Sequence, residues 1–160
     1  MLVGIFRGKP TGAENQVMAP PAVLPPRYAS RPLLTPAERS FLGVLDLALG
    51  PAYQTFVKVR LADVLKVADA RYNWQSQFNR ISAKHIDFVV CDSTTLRVVA
   101  AVELDDASHQ SAAAKDSDRF KNEALAVSGI RLVRFSAKRS YTVEDILRHF
   151  NGVPPPLPRR

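Results

Sequence analysis

The chain has 160 residues, 46% hydrophobic and 23% charged, which suits one globular domain with its own core. Lys and Arg outnumber Asp and Glu by 22 to 15, a formal charge of +7 that favours an anionic partner such as nucleic acid or an acidic membrane surface. The lone Cys91 excludes an intramolecular disulfide and suits a reducing, cytoplasmic setting, and no apolar run is long enough for a transmembrane helix.

Residues 1–6 are apolar but too short for a secretory signal, and they read as a frayed end. Pro10, Pro20, Pro21, Pro25, Pro26 and Pro32 then break any helix or central strand, so residues 1–32 read as a Pro-rich linker. Residues 152–160 hold Pro154, Pro155, Pro156 and Pro158 and end in two arginines, a Pro-rich basic tail. The folded domain is expected over 33–151.

That domain opens with Thr35-Pro36-Ala37-Glu38, which sets Thr at the N-cap, Pro at the first helical position and Glu at N3. Phe41, Leu42, Leu45 and Leu49 follow at helical spacing, and Gly50-Pro51 ends the helix. Residues 53–61 alternate as a strand, and 62–70 suit a short helix. Residues 71–82, polar with interleaved aromatics, read as a loop. Residues 86–91 and 97–104 are strands joined by a short polar turn, an antiparallel hairpin. A helix is expected over 114–128, stopped by Gly129, then a strand over 130–136. A last helix capped by Thr142 with Asp145 at N3 runs to Phe150. The order α-β-(α)-β-β-α-β-α implies an α/β fold, a mixed central sheet flanked by helices.

Within this frame the acidic residues gather. Side chains alternate along a strand, so Glu103 and Asp105 share a face, and the hairpin spacing sets Asp87 across from Glu103. Carboxylates so placed raise one another's pKa and oppose folding unless a cation relieves them. Hard oxygen ligands suit Mg²⁺ or Mn²⁺. Against this stands a simpler account, with Asp105 and Asp106 in a solvated turn and Asp87 paired with Lys84 or Arg97. His109 follows closely and has a pKa suited to acid–base work.

The ordered segments "IDFVV", "AVELDDASH", "DRFKNEAL" and "GIRLVRF" resemble the PD-(D/E)XK (restriction-endonuclease-like) nuclease superfamily. The resemblance is nearest to a bacterial domain-of-unknown-function family in the branch of the very-short-patch-repair endonucleases. It implies a restriction-endonuclease-like core and metal-dependent cleavage of nucleic acid, with DNA the expected substrate. By this resemblance Asp87 is the strand aspartate that ligates the metal and Glu103 the acidic member of the (D/E)-x-K motif. Asp105 stands where the motif has its lysine, so the metal set is Asp87, Glu103 and Asp105. His109 is then a candidate general acid or base. Lys121 is a lysine migrated to the next helix, or else it forms an i,i+3 ion pair with Asp118 on a solvated face. Glu38 matches an acidic residue of the first helix at the edge of such a site, and its capping box competes for the same side chain. Arg134 lies in an apolar strand, where its charge requires a carboxylate of the site or a phosphate.

Lys58, Arg60, Arg71, Arg80 and Lys84 are expected to follow the phosphate backbone. The alternative to a nuclease is a nuclease-like binding module without catalysis, motivated by the missing lysine at position 105. A scaffold that docks through its Pro-rich flanks is a third reading.

Overall fold

The computed structural model describes residues 27–69, 71, 73–105 and 112–151. The chain divides into two units, Met1–Arg31 and Pro32–Arg160, and all described helices and strands lie in the second. Residues 1–26 of the expected linker, the tail 152–160 and His109 lie outside the described residues.

Helix α1 (Pro36–Leu49) starts as its sequence requires. The Thr35 hydroxyl accepts from the Glu38 N–H, and Glu38 Oε2 accepts from the Thr35 N–H at 2.8 Å. Gly50 ends it with φ +67°, a conformation that favours glycine. Strand β1 (Tyr53–Arg60) follows, then a single turn of helix, α2 (Leu61–Val64). The short helix expected over 62–70 therefore stops early. Leu65 is already extended, and Val64 packs on the core from the end of α2, Leu65 and Val67 from irregular chain.

Residues 74–82, expected as loop, form helix α3 (Trp74–Ser82). Trp74, Phe78 and Ile81 fall at i, i+4 and i+7, a narrow apolar stripe hidden among Gln, Ser, Asn and Arg. Strands β2 (His85–Asp92) and β3 (Val98–Asp105) make the expected antiparallel hairpin. Asp92 Oδ1 organises its turn by accepting from Thr94 N–H, Thr95 N–H and the Thr95 hydroxyl at 3.0, 2.7 and 2.8 Å. Helix α4 (Ala112–Val127) crosses over to β4 (Arg131–Ser136), which runs parallel to β3, and Gly129 sits between them at φ +72°. Helix α5 (Val143–Phe150) closes the domain behind the Thr142–Asp145 capping box.

The described strands form one mixed four-stranded sheet in the order β1-β2-β3-β4. Because β2 and β3 alternate, their two faces build two cores. Phe88, Val90, Ala100 and Val102 meet α1 and α5, while Val89, Cys91 and Ala101 meet α2, α3 and α4. Helices thus flank the sheet on both sides, and Cys91 is an ordinary buried apolar residue. The β2–β3 register runs through Phe88 and Val102, so the next rung outward sets Asp87 opposite Glu103, as the hairpin spacing requires.

One rung breaks the alternation. Val57 and Phe88 pack in the first core, but Val59 and Ile86, two residues away on each strand, pack in the second. Lys58 and Asp87 occupy the rung between them. Lys58 has φ +52° inside the strand, a left-handed conformation that costs a side-chain-bearing residue on the order of 1 kcal/mol. Strands β1 and β2 exchange faces at this point, while β3 keeps its alternation, with Ala100, Val102 and Leu104 all on the first core.

Phe41 anchors α1, with its ring 5.3, 4.9 and 4.9 Å from those of Phe88, Phe135 and Tyr141 and no exposed surface. Phe41→Ala is expected to cost about 3–5 kcal/mol of unfolding free energy, measured by urea denaturation. A loss below about 1 kcal/mol would show that α1 is held by something other than this aromatic cluster.

Candidate functional site

The antiparallel pairing of β2 with β3 brings Asp87 and Glu103 to the same end of the sheet, where α1 and α4 also end or pass. Lys58 from β1 bridges two of the carboxylates. Its Nζ donates to Glu38 Oε1 at 2.5 Å and to Asp87 Oδ1 at 2.7 Å. Each carboxylate keeps its second oxygen for structure. Glu38 Oε2 completes the capping box, and Asp87 Oδ2 accepts from the Leu104 N–H at 3.1 Å. The capping box and the bridge to Lys58 therefore coexist, one on each Glu38 oxygen. The partners expected for Asp87, Lys84 and Arg97, are replaced by Lys58. Strand spacing carries no signal for this, because it depends on the left-handed turn at Lys58.

Lys121 reaches Glu103 from α4. Its ammonium stands 2.8 Å from Glu103 Oε1, and the two residues are only 9% and 6% exposed. Burial and the short separation make this a charge-assisted pair, with the ammonium as the partner of the buried oxygen. The i,i+3 contact of Lys121 with Asp118 is longer, at 3.7 Å. Of the two sequence-level readings of Lys121, a solvated helix pair and a lysine directed at the carboxylates, the structure adopts the second, with Asp118 at its margin.

Asp105 goes elsewhere. Its Oδ1 accepts from Arg134 Nη1 at 2.5 Å, and Arg134 Nη2 donates to Asn122 at 3.1 Å. The charge of Arg134 in an apolar strand is thus met by a carboxylate, as expected. Among the described residues no three His, Cys, Asp or Glu side chains gather as a metal-binding group, so the expected set of Asp87, Glu103 and Asp105 is not assembled. The reason is the parallel β3–β4 pairing, which puts Asp105 beside Ser136 with Arg134 two residues away on the same strand face.

Electrostatics distinguish the carboxylates. Burial pushes Glu103 above its ordinary pKa, the Lys121 ammonium offsets only part of this, and the nearby Asp87 adds to the rise. Burial also pushes Glu38 up, but hydrogen bonds from Lys58 and Thr35 outweigh it and leave the carboxyl below its ordinary value. Burial lowers Lys58, and its bonds to Asp87 and Glu38 reverse that and raise it. Glu103 is therefore the group readiest to take up a proton.

Of the basic residues expected to follow a phosphate backbone, Lys58 is held in the site. Arg60 pairs with Asp63 and Arg71 with Asp69. Arg80 stacks 4.1 Å over Phe120, and Lys84 donates to Ser117. Nor does any described helix have the length and apolarity to cross a membrane.

A family model described as a protein of unknown function, DUF2726, matches residues 30–153, which include every element from α1 to α5. The chain belongs to this family. No curated protein and no solved structure matches it. In this DUF2726 domain, then, the chemistry must be argued from the site itself.

Lys121→Met removes the nearest positive charge among the described residues from buried Glu103. It is expected to cost about 3–5 kcal/mol at pH 7. The sign of the pH dependence follows from the raised Glu103 pKa. A carboxyl whose folded pKa lies above its unfolded value destabilises the fold when ionised and ceases to do so once protonated. Without Lys121 that pKa rises further, so the deficit should shrink as pH falls from 7 towards the unfolded carboxyl range. Denaturation of both proteins across this range tests it, and a deficit independent of pH would contradict the assignment.

Proposed function

We propose that this domain is a metal-dependent nuclease of the PD-(D/E)XK type. Its cation, Mg²⁺ or Mn²⁺, would be held by Asp87 and Glu103, with Glu38 at the margin. The observation that carries the reading is the buried Glu103–Lys121 pair beside Asp87. Two carboxylates suffice, because Mg²⁺ usually takes one or two from the protein and completes its shell with water and phosphate oxygens. When bound, such a cation activates water and neutralises charge on a phosphodiester. The chain's own residues supply the rest. Lys121, fixed by Glu103, sets a positive charge where the phosphate charge would grow. The restriction-endonuclease-like arrangement is supported by the adjacent antiparallel β2 and β3 and by the α4 crossover to a parallel β4. His109 is proposed as a proton carrier on the resemblance alone. Asp105 and Arg134 brace the site's outer edge.

One observation favours a binding module without catalysis. Asp87 and Glu103 are already neutralised by lysines. Both readings keep nucleic acid, with DNA first, as the partner.

Purified protein with Mn²⁺ or Mg²⁺ is expected to cleave single- or double-stranded DNA. Asp87→Asn, Glu103→Gln and Lys121→Met should each lower the rate at least about a hundredfold, the scale of losing one electrostatic stabiliser. Cleavage undiminished by Asp87→Asn would remove the site. Salt-sensitive DNA binding without turnover in either metal would favour the binding module.

A further inference from the structure

The lysine bridge raises a question of charge. Glu38, Asp87 and Glu103 face the ammonium groups of Lys58 and Lys121, leaving one negative charge in excess. A divalent cation added to this set would overcompensate it. Moreover, each Asp87 oxygen already has a partner, since Oδ2 accepts from the Leu104 N–H and Oδ1 from Lys58. Of these two bonds, the one to the backbone is part of the hairpin. The one to Lys58 ends on a flexible four-carbon stem with 28% of its side chain exposed, from which the ammonium can swing into water.

We infer that Lys58 is a built-in competitor of the metal: its ammonium occupies the cation position between Glu38 and Asp87, and a divalent ion binds at Asp87 only by displacing it. This rests on the metal reading given above and adds a residue to it. Two further observations support it. The ammonium is held by converging oxygens, 2.5 and 2.7 Å away, from two different elements. And the backbone at Lys58 adopts a left-handed φ within a strand, a local cost that calls for compensation. The bridge supplies it in the metal-free protein by keeping two carboxylates from facing each other unneutralised. Exchange of Lys58 for a divalent ion then leaves this corner of the site neutralised throughout.

The test is Mn²⁺ binding by calorimetry on the full chain, comparing wild type with Lys58→Met, Lys58→Gln and Asp87→Asn. Both Lys58 variants should bind Mn²⁺ at least about tenfold tighter, the effect of removing a hydrogen-bonded competing charge. Asp87→Asn should lose binding. Lys58→Gln keeps a polar group on the carboxylates in case Lys58→Met does not fold. A second measurement needs no variant. Amine-reactive labelling of wild type, read by mass spectrometry, should show Lys58 modified several-fold faster with Mg²⁺ than without. Asp87-dependent binding that is equal or weaker in the Lys58 variants, or labelling of Lys58 unchanged by saturating Mg²⁺, overturns the inference while leaving the metal reading intact. Absence of Mn²⁺ binding in wild type and all variants overturns the metal reading itself, and the inference with it.

Discussion

The rung that holds Lys58 and Asp87 is the constraint on which the rest of the structure turns. There β1 and β2 exchange faces, so that Val57 and Phe88 serve one core while Val59 and Ile86 serve the other. Such a crossing strands two polar side chains between the layers. Lys58 resolves it by spanning from β1 to Asp87 on β2 and to Glu38 on α1. The same contact fixes the start of α1, whose direction is set by the Thr35 capping box and whose body is locked by Phe41. A local backbone irregularity, a helix cap and an ion bridge are thus one mechanical unit.

The second lysine needs a different account. Lys121 and Glu103 are both buried, and taking two charges out of water costs several kcal/mol for each before their attraction returns anything. Apolar side chains of like volume, continuing the stripe of Phe120, Ala124 and Leu125 on α4, would satisfy the fold as well or better. Stability therefore does not explain the pair. The charge is accounted for by the proposed chemistry, in which a protonatable carboxylate and an ammonium are held side by side out of bulk water.

Much of this was legible in the sequence, and the remainder was hidden for definite reasons. Thr35 to Glu38, Gly50, Gly129 and Thr142 marked helix ends because capping is local chemistry, and the structure places those ends where the residues indicate. The hairpin and its register followed from alternation and a short turn. Helix α3 was missed because its apolar stripe is three residues wide and sits among polar ones, so propensity alone could not reveal it. In the site, parity brought Asp87 and Glu103 together correctly. Parity also grouped Asp105 with them, since it reports the face of a strand and not what the neighbouring strand offers. Only the β3–β4 pairing shows that Arg134 claims Asp105. Lys58 lay beyond sequence reasoning, because alternation assumes an extended backbone at every position and Lys58 has a left-handed one.

The placement of charge around Asp105 bears on the departure from the resembled motif. A motif lysine at position 105 would contribute one positive charge next to Glu103. The aspartate there contributes a negative one, which alone would make the site more acidic and Glu103 harder to ionise. Two cations reverse this. Arg134 meets Asp105 directly, and its charge also acts to lower the Glu103 pKa. Lys121 supplies the ammonium at Glu103 from α4. Asp118, 3.7 Å from both cations, offsets part of their charge. Helix α4 can deliver the ammonium because the crossover between parallel strands must lay the helix across β3, so a residue in its middle lies over the carboxylate that a strand lysine would have flanked. On the proposed reading the ammonium has therefore been moved from strand to helix. Asp105 is the residue that makes Arg134 tolerable inside the sheet, and its carboxylate serves the site through that arginine and not by holding a cation itself.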